Sequence, residues 1–340
     1  MAITLADVAH RAGVSEATAS RVLNGRRYVA AGTRLRVEEA ARDLDYVPNR
    51  AARDLSTART ATIALLVHHA QYPAHGEGTF SSRMVDALSR ALGHAGYDLL
   101  YVPIDDAAVH RVGGLPTVRA GRSDGVLVLG PAFPRASIVG LAASGRPVVT
   151  VDNRLSGVDA VMADNRPAMA TLTRHLIEHH GYRRLACLAG PSGWASTAER
   201  LAGVCDAAKQ SRASVRVLHA RQTTMRDGGE MAGQLRLEPP DAVIAVNDAM
   251  AIGALHRFRG LPPERRPAVT GFDDIAWAQL TDPPLTTVAV DAMRMGAAAA
   301  ELLMARIATP DRDILPAREI RVPATVRLRR SCGCSDPSAP

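Results

Sequence analysis

The sequence predicts a small all-α head followed by a two-lobed α/β domain. Three observations lead there. A helix–glycine–helix pattern and a further helix fill the first 46 residues. From Thr62 onward, short β-branched and aliphatic runs alternate with amphipathic helical stretches, the mark of βαβ units and parallel sheets. Eight such runs exceed one compact open sheet, so the second part divides into two lobes.

The elements follow in order. Thr4-Leu5-Ala6-Asp7 has the form of a capping box, with the acid one methylene shorter, and opens the helix "LADVAHRA". Gly13 breaks it. Ser15 is a good N-cap for a second helix, "EATASRVLN", closed by Asn24-Gly25. A third helix spans about Gly32 to Leu44, with Leu35, Val37, Ala40, Ala41 and Leu44 as its apolar stripe. Pro48-Asn49 starts another helical segment, but Asn49 to Ser56 is only about two turns, too short to be stable alone in water. The strand candidates are "TIALLV", "YDLLYV", "GVLVLG", "PVVTVD", "RLACLAG", "SVRVLH", "AVIAVN" and "PAVTGF". In such sheets ligands are expected at the carboxyl ends of the strands. The tail "SCGCSDPSAP" is polar and proline-bearing and is expected to be disordered.

Composition narrows the function. The 340 residues are 47% hydrophobic, carry a formal net charge of +7 and have a sequence pI near 9.7, which favours an anionic partner. Ten arginines face seven acids in residues 1–60, and Lys209 is the one lysine of the chain. Four cysteines are too few and too scattered for a disulfide framework. Neither a secretory signal nor a membrane-spanning apolar run is visible, so a cytoplasmic protein is expected. No P-loop, GxSxG or paired acid–base set stands out, and no enzyme is expected. His68, His69 and His75 fit polar loop residues better than a metal site, and the two cysteines of "SCGC" cannot close a zinc site alone, so neither metal nor cofactor is expected.

Helix, glycine turn, helix is the pattern of a helix-turn-helix DNA reader, whose second helix enters the major groove. Ala9, Val14, Ala19 and Val22 supply small packing positions, while Glu16, Ala17, Ser20 and Arg21 lie on the outward face. A generic three-helix bundle is the plainer alternative.

"TLADVAHRAGVSEATASRVLNG", then "RVEEAARDLDYVPNRAARDLSTARTATIALLV", resembles the lactose-repressor-type family of bacterial transcription regulators. The likeness continues in "SDGVLVLG", "RPVVTVDN", "VMADN", "ERLAG", "AVIAVNDAMAIGAL", "VTGFDDIAWAQLTDPPLTTV" and "MGAAAAELL", from residue 3 to about 330. It implies a helix-turn-helix headpiece (residues 1–47), a hinge helix and linker (48–60), and a regulatory domain (61–330) like the type I periplasmic sugar-binding proteins. The two α/β lobes would take 61–161 with 291–322, and 162–290 with 323–330, leaving 331–340 as tail.

The resemblance also implies roles. Glu16, Ala17 and Arg21 would face base edges, with Arg21 able to hold guanine O6 and N7 bidentately. Ala17 would offer a methyl to thymine; Glu16 would accept from cytosine N4 or stand as a solvated acid. Thr4, Ser15, Thr18, Ser20 and Asn24 would touch phosphates or cap helices. Asn49, Arg50, Ala52, Arg53 and Leu55 would form the hinge helix. Leu55 would wedge into the minor groove, Ala52 would let two hinge helices approach, and Arg50 and Arg53 would meet phosphates. Asp152, Arg200, Asn247 and Asp273 fall where the family contacts effectors; Phe80, Trp277, Trp194 and Tyr72 are effector-binding candidates for stacking on a sugar ring, the two tryptophans reading equally well as packing residues. Asp248 and Asp274 are expected to cap helices instead.

The implied protein is a homodimeric, ligand-responsive repressor on a palindromic operator of double-stranded DNA, with a small-molecule effector, a sugar or sugar derivative. A purine-type corepressor is the alternative effector; a cytoplasmic sugar-binding protein or an enzyme is a more distant one. Two departures stand out. "HHAQYPAHGEGTFSS" follows the first strand where the family reads Pro and then Asn-Pro-Phe-Phe, and the C-terminal leucine heptad of the family's tetramers is missing.

Overall fold

The computed structural model describes residues 3–23, 29–46, 59–69, 79–119, 121–309 and 316–335. The expected hinge residues Asn49, Arg50, Ala52, Arg53 and Leu55, together with Asn24, Tyr72 and His75, lie outside them. The chain divides into two compact units, Met1–Ala61 and Thr62–Pro340.

The first unit packs three helices: α1 (Leu5–Ala12), α2 (Glu16–Leu23) and α3 (Ala31–Asp43). The Thr4 hydroxyl accepts from the Asp7 amide and the Asp7 carboxylate accepts from the Thr4 amide, so both halves of the capping box form. These bonds from Thr4 hold the Asp7 carboxyl below its ordinary range. Gly13 ends α1 in the left-handed region at φ 64°. The buried apolar set is Val8, Ala9, Ala12, Ala19, Val22, Val37 and Ala40. Leu35 departs from the expected stripe and is 58% exposed. It lies two residues, about 200° of helical rotation, from Val37, so the two cannot share one face.

The second unit holds two parallel sheets. The first has the order β11-β5-β4-β3-β1-β2, from β1 (Thr62–His68), β2 (Asp98–Ile104), β3 (Gly125–Leu129), β4 (Val148–Val151), β5 (Asp159–Ala163) and β11 (Glu319–Val322). The second has the order β7-β6-β8-β9, from β6 (Arg184–Ala189), β7 (Ser214–His219), β8 (Ala242–Ala245) and β9 (Ala268–Thr270). Strand β1 is buried on both faces. Ile63, Leu65 and Val67 point into one apolar cluster and Ala64 and Leu66 into another, which explains why its sequence reads as one continuous apolar run.

Helices α4 (Phe80–His94), α5 (Arg135–Ala142) and α10 (Ala292–Ala308) cover the first sheet. Helices α6 (Asn165–Arg174), α7 (Ala195–Gln210), α8 (Met225–Gln234) and α9 (Asp248–Phe258) serve the second. Among the described residues the chain passes between the lobes three times, at Asp164, at Asp291 and at Pro323. Two of these passages flank an antiparallel pair, β10 (Thr287–Val290) with β12 (Ala324–Arg327). Strands β5, β10, β11 and β12 were not among the eight strand candidates. Each is only four or five residues long, and β11 and β12 are partly exposed, so they carry weak local signals.

The start of the tail is a further correction. Ser331 and Cys332 are packed rather than disordered: both are buried, and Ser331 Oγ donates to Val269 O at 2.6 Å while accepting from the Thr286 amide at 2.8 Å. A polar serine reads as tail composition, yet here it satisfies backbone groups of the second lobe.

Candidate functional site

In the head, Glu16, Ala17 and Arg21 are exposed, on the side of α2 away from buried Ala19 and Val22. Ala17 and Arg21 are one turn apart, so their side chains are neighbours on that face. Ser15 Oγ accepts from the Thr18 amide at 3.2 Å and meets Thr18 Oγ1 at 2.9 Å, fixing the start of α2. Thr4 is committed to its capping box, and Ser20 is half-buried. The head thus presents a short exposed helix face ending in an arginine, held in place by two side-chain caps.

In the second unit, one cavity of about 410 Å³ opens between the lobes at the carboxyl ends of the strands. Phe80, Asp152, Arg200, Asn247, Asp273 and Trp277, six residues scattered over nearly 200 positions, all line it, as does Trp194. Phe80 opens α4, Asp152 directly follows β4, Arg200 lies in α7, Asn247 precedes α9, and Asp273 follows β9.

Arg200 organises the polar floor. It is 6% exposed, and its guanidinium lies over the Phe272 ring at 3.9 Å. Its Nε donates to Asn165 Oδ1 at 2.8 Å and its Nη1 to Val246 O at 2.9 Å. The same guanidinium stands 3.5 Å from Asp152 Oδ1 and 3.6 Å from Asp273 Oδ1, attracting both carboxylates without hydrogen-bonding either oxygen. Those two buried oxygens have no hydrogen-bond partner among the described residues. Ser196 Oγ donates to the other oxygen of Asp152 at 3.2 Å.

Both acids sit in strained backbone, with φ of 57° at Asp152 and 112° at Asp273. Burial raises the Asp152 pKa against the pull of Arg200, and burial pushes Asp273 up to about 7, again opposed by Arg200. The site therefore holds two acceptor-rich groups whose proton affinity is raised by burial: one guanidinium serves both, and neither is fully satisfied.

The expected helix caps at Asp248 and Asp274 are not formed. Asn247 caps α9 instead, its Oδ1 accepting from the Met250 amide at 2.9 Å while its Nδ2 donates to Thr223 O. Asp248 is fully buried, accepts from the Ile275 amide at 2.9 Å and from the Thr287 hydroxyl, and so pins the loop that carries Asp273. Burial, reinforced by Asp273, raises its pKa well above the ordinary range. Gly271 makes this packing possible, since a Cβ there would collide with the Asp248 carboxylate. Asp274 pairs with Arg329 at 2.6 Å. The sequence suggests capping for both acids because each stands where a helix or turn begins, but their partners come from distant segments.

Thr79, Ser196, Thr197 and the run Gln222 to Arg226 also line the cavity and were missed. The pattern Thr224-x-x-Asp227 was a usable signal, because it forms a full capping box at the start of α8 and so marks a strand-to-helix junction.

Several contacts span the lobes beside the cavity. Arg83 of α4 donates to the carbonyls of Asp273, Asp274 and Val290 at 2.9–3.1 Å. Glu199 of α7 takes a bidentate pair from Arg321 of β11, at 2.7 and 3.0 Å. The angle between lobes is thus held by charged and polar groups that ring the cavity.

A head that exposes a recognition-type helix, on a chain whose second unit holds a cleft between two α/β lobes, defines a ligand-responsive DNA-binding regulator. Residues 4–49 match the model for bacterial regulatory proteins of the lacI family, and residues 173–332 match that for the periplasmic binding protein-like domain. The chain is 34% identical to the HTH-type transcriptional regulator CelR of Thermobifida fusca over 318 residues, covering 89% of this chain and 92% of that one. It is 30% identical to the ribose operon repressor of Bacillus subtilis strain 168 over 334 residues, 96% and 98% of the two chains. The solved complex of CelR with cellobiose has a TM-score of 0.70 at 30% identity, over 97% of this chain and 99% of that one. The chain belongs to the lacI family of bacterial regulatory proteins. No helix among the described residues is long and apolar enough to cross a membrane.

Proposed function

We propose that this regulator is a cytoplasmic repressor, without enzymatic activity, whose affinity for a palindromic operator is set by a sugar or sugar derivative bound between its lobes. One observation carries the effector class. Asp152 Oδ1 and Asp273 Oδ1 are buried, face the same cavity and find no hydrogen-bond donor among the described residues. Leaving such acceptors unsatisfied is costly, and adjacent hydroxyls of a polyol supply the missing donors. Trp194, Trp277 and Phe80 offer apolar faces for the ring. The relatives point the same way: one is solved with cellobiose, another is named for a ribose operon.

Two copies would place one head on each half-site, because two-fold protein symmetry matches two-fold operator symmetry. Glu16, Ala17 and Arg21 would read bases, and Thr4, Ser15, Thr18, Ser20 and Asn24 would position the head on phosphates. Asn49, Arg50, Ala52, Arg53 and Leu55 would meet the operator between the two half-sites, Leu55 at the central minor-groove step. Effector in the cleft would change the lobe angle through the Arg83 and Glu199 contacts, and by linkage operator and effector would alter each other's affinity by the same factor.

Calorimetry of the full chain against a panel of mono- and disaccharides, nucleobases and amino acids tests the reading. A saturable sugar response, lost in Arg200→Ala, is expected. A purine or amino-acid hit with uniformly silent sugars would overturn it.

A further inference from the structure

The tail cysteines meet a histidine pair from a distant turn. His175, His180, Cys332 and Cys334 each offer one ligand atom, and the four atoms lie within 4.8 Å of one another. We propose that these residues form a tetrahedral zinc site that staples the end of the chain to the second lobe.

The spacing fits the metal. With Zn–N near 2.05 Å and Zn–S near 2.3 Å, a tetrahedron separates two nitrogens by about 3.3 Å and a nitrogen from a sulfur by about 3.6 Å. His175 Nε2 and His180 Nε2 stand 3.2 Å apart, and Cys334 Sγ lies 3.6 and 3.5 Å from them. Two thiolates and two imidazoles form a structural zinc set, and their softness disfavours magnesium or calcium.

Two local devices build the site. An α-helix would pair His175 with His179, four residues on. Here His175–His179 forms a π-helical turn, whose wider winding brings residues five apart together, so His180 joins the cluster instead. His179 stacks on His175 but is not among the four. On the tail, Gly333 adopts φ 105° between the cysteines, and a Cβ there would press on the Tyr182 hydroxyl at 2.7 Å and on the His180 ring at 3.4 Å. Glycine is therefore required for both thiols to turn inward. Tyr182 supports the arrangement, donating from its hydroxyl to Cys332 O at 3.2 Å and stacking on the His180 ring.

Binding would exchange two thiol protons, released to buffer, for two Zn–S bonds. The staple would hold residues 329–334, whose Arg329 grips Asp274 beside the cavity acid Asp273.

Metal content of untagged, full-length protein is the test, with cobalt substitution as its spectroscopic arm. About one zinc per chain is expected. Cobalt should give thiolate-to-metal charge transfer in the near ultraviolet and the intense red absorption of a tetrahedral centre. Cys334→Ser and His180→Ala should each weaken metal binding by about tenfold or more, while His179→Ala retains it. Cys334 is partly exposed and the serine is nearly isosteric, so circular dichroism should show that variant folded. Absence of bound metal and of cobalt absorption would overturn the site. So would unchanged metal content in Cys334→Ser, or equal loss in His179→Ala and His180→Ala.

Discussion

The head and the regulatory domain bury different kinds of side chain. Every buried apolar residue among the described residues of the head is valine or alanine, whereas the regulatory domain buries Phe258, Phe272, Met84 and a series of leucines and isoleucines. Small residues let three short helices approach closely, but they contribute little apolar area each. The head is thus sensitive to added volume. The regulatory domain has apolar area to spare and spends its strain in the cleft, where acids are buried beside one arginine. In each region the vulnerable place is next to the working surface.

Substitutions can break or sharpen that contrast. The most complete loss of DNA binding is expected from Ala19→Leu, since Ala19 is wholly buried where α2 packs on the other helices. Overpacking costs about 1–3 kcal/mol, a large share of what such a small core provides. Operator binding in a gel-shift titration should be lost while effector binding and the main thermal transition persist; retained binding would mean that the head tolerates volume as a large core does. Next comes Arg200→Ala. Removing the guanidinium that pairs with two buried acids costs about 3–5 kcal/mol, so the main melting transition should fall and effector binding disappear. An unchanged melting temperature would place the cleft's stability elsewhere.

A smaller, selective effect is expected from Arg21→Ala, about 1–3 kcal/mol of operator affinity confined to one base position if the contact is bidentate. A uniform loss over all operator variants would make Arg21 a phosphate contact. The last is a pH effect. The folded pKa of Asp273 is raised to about 7 by burial, above its unfolded value. The stability linked to its protonation is complete below the unfolded pKa and is lost as pH rises through about 7. Asp273→Asn has no proton to lose, so its melting temperature relative to the parent should rise between about pH 5 and about pH 8. A flat difference would show Asp273 to be ionised throughout.

Much of this was legible in the chain itself. The capping box at Thr4, the glycine stop at Gly13 and the doubly buried runs such as Ile63 to Val67 are signals contained within a few residues, so they survive without tertiary context. Leu35 misled because its side chain satisfies composition but not angle. Asp248 and Asp274 misled because a carboxylate before a helix reads as a cap until its true partners, Thr287, Ile275 and Arg329, are brought to it. The short strands β10 to β12 depend on pairing across the lobe crossings, which no local pattern announces.

The sequence alone determined the helices of the head, most strands of both sheets and, through family resemblance, Asp152, Arg200, Asn247 and Asp273 of the cleft. Local hydrogen bonding and hydrophobic periodicity act over one or two turns, so they are written in neighbouring residues. Only the tertiary structure decided that a single guanidinium stands between Asp152 and Asp273, and that the "SCGC" tail ends beside His175 and His180. Those groups come from segments far apart in the chain, and only the packed lobes supply the distances on which charge and coordination depend.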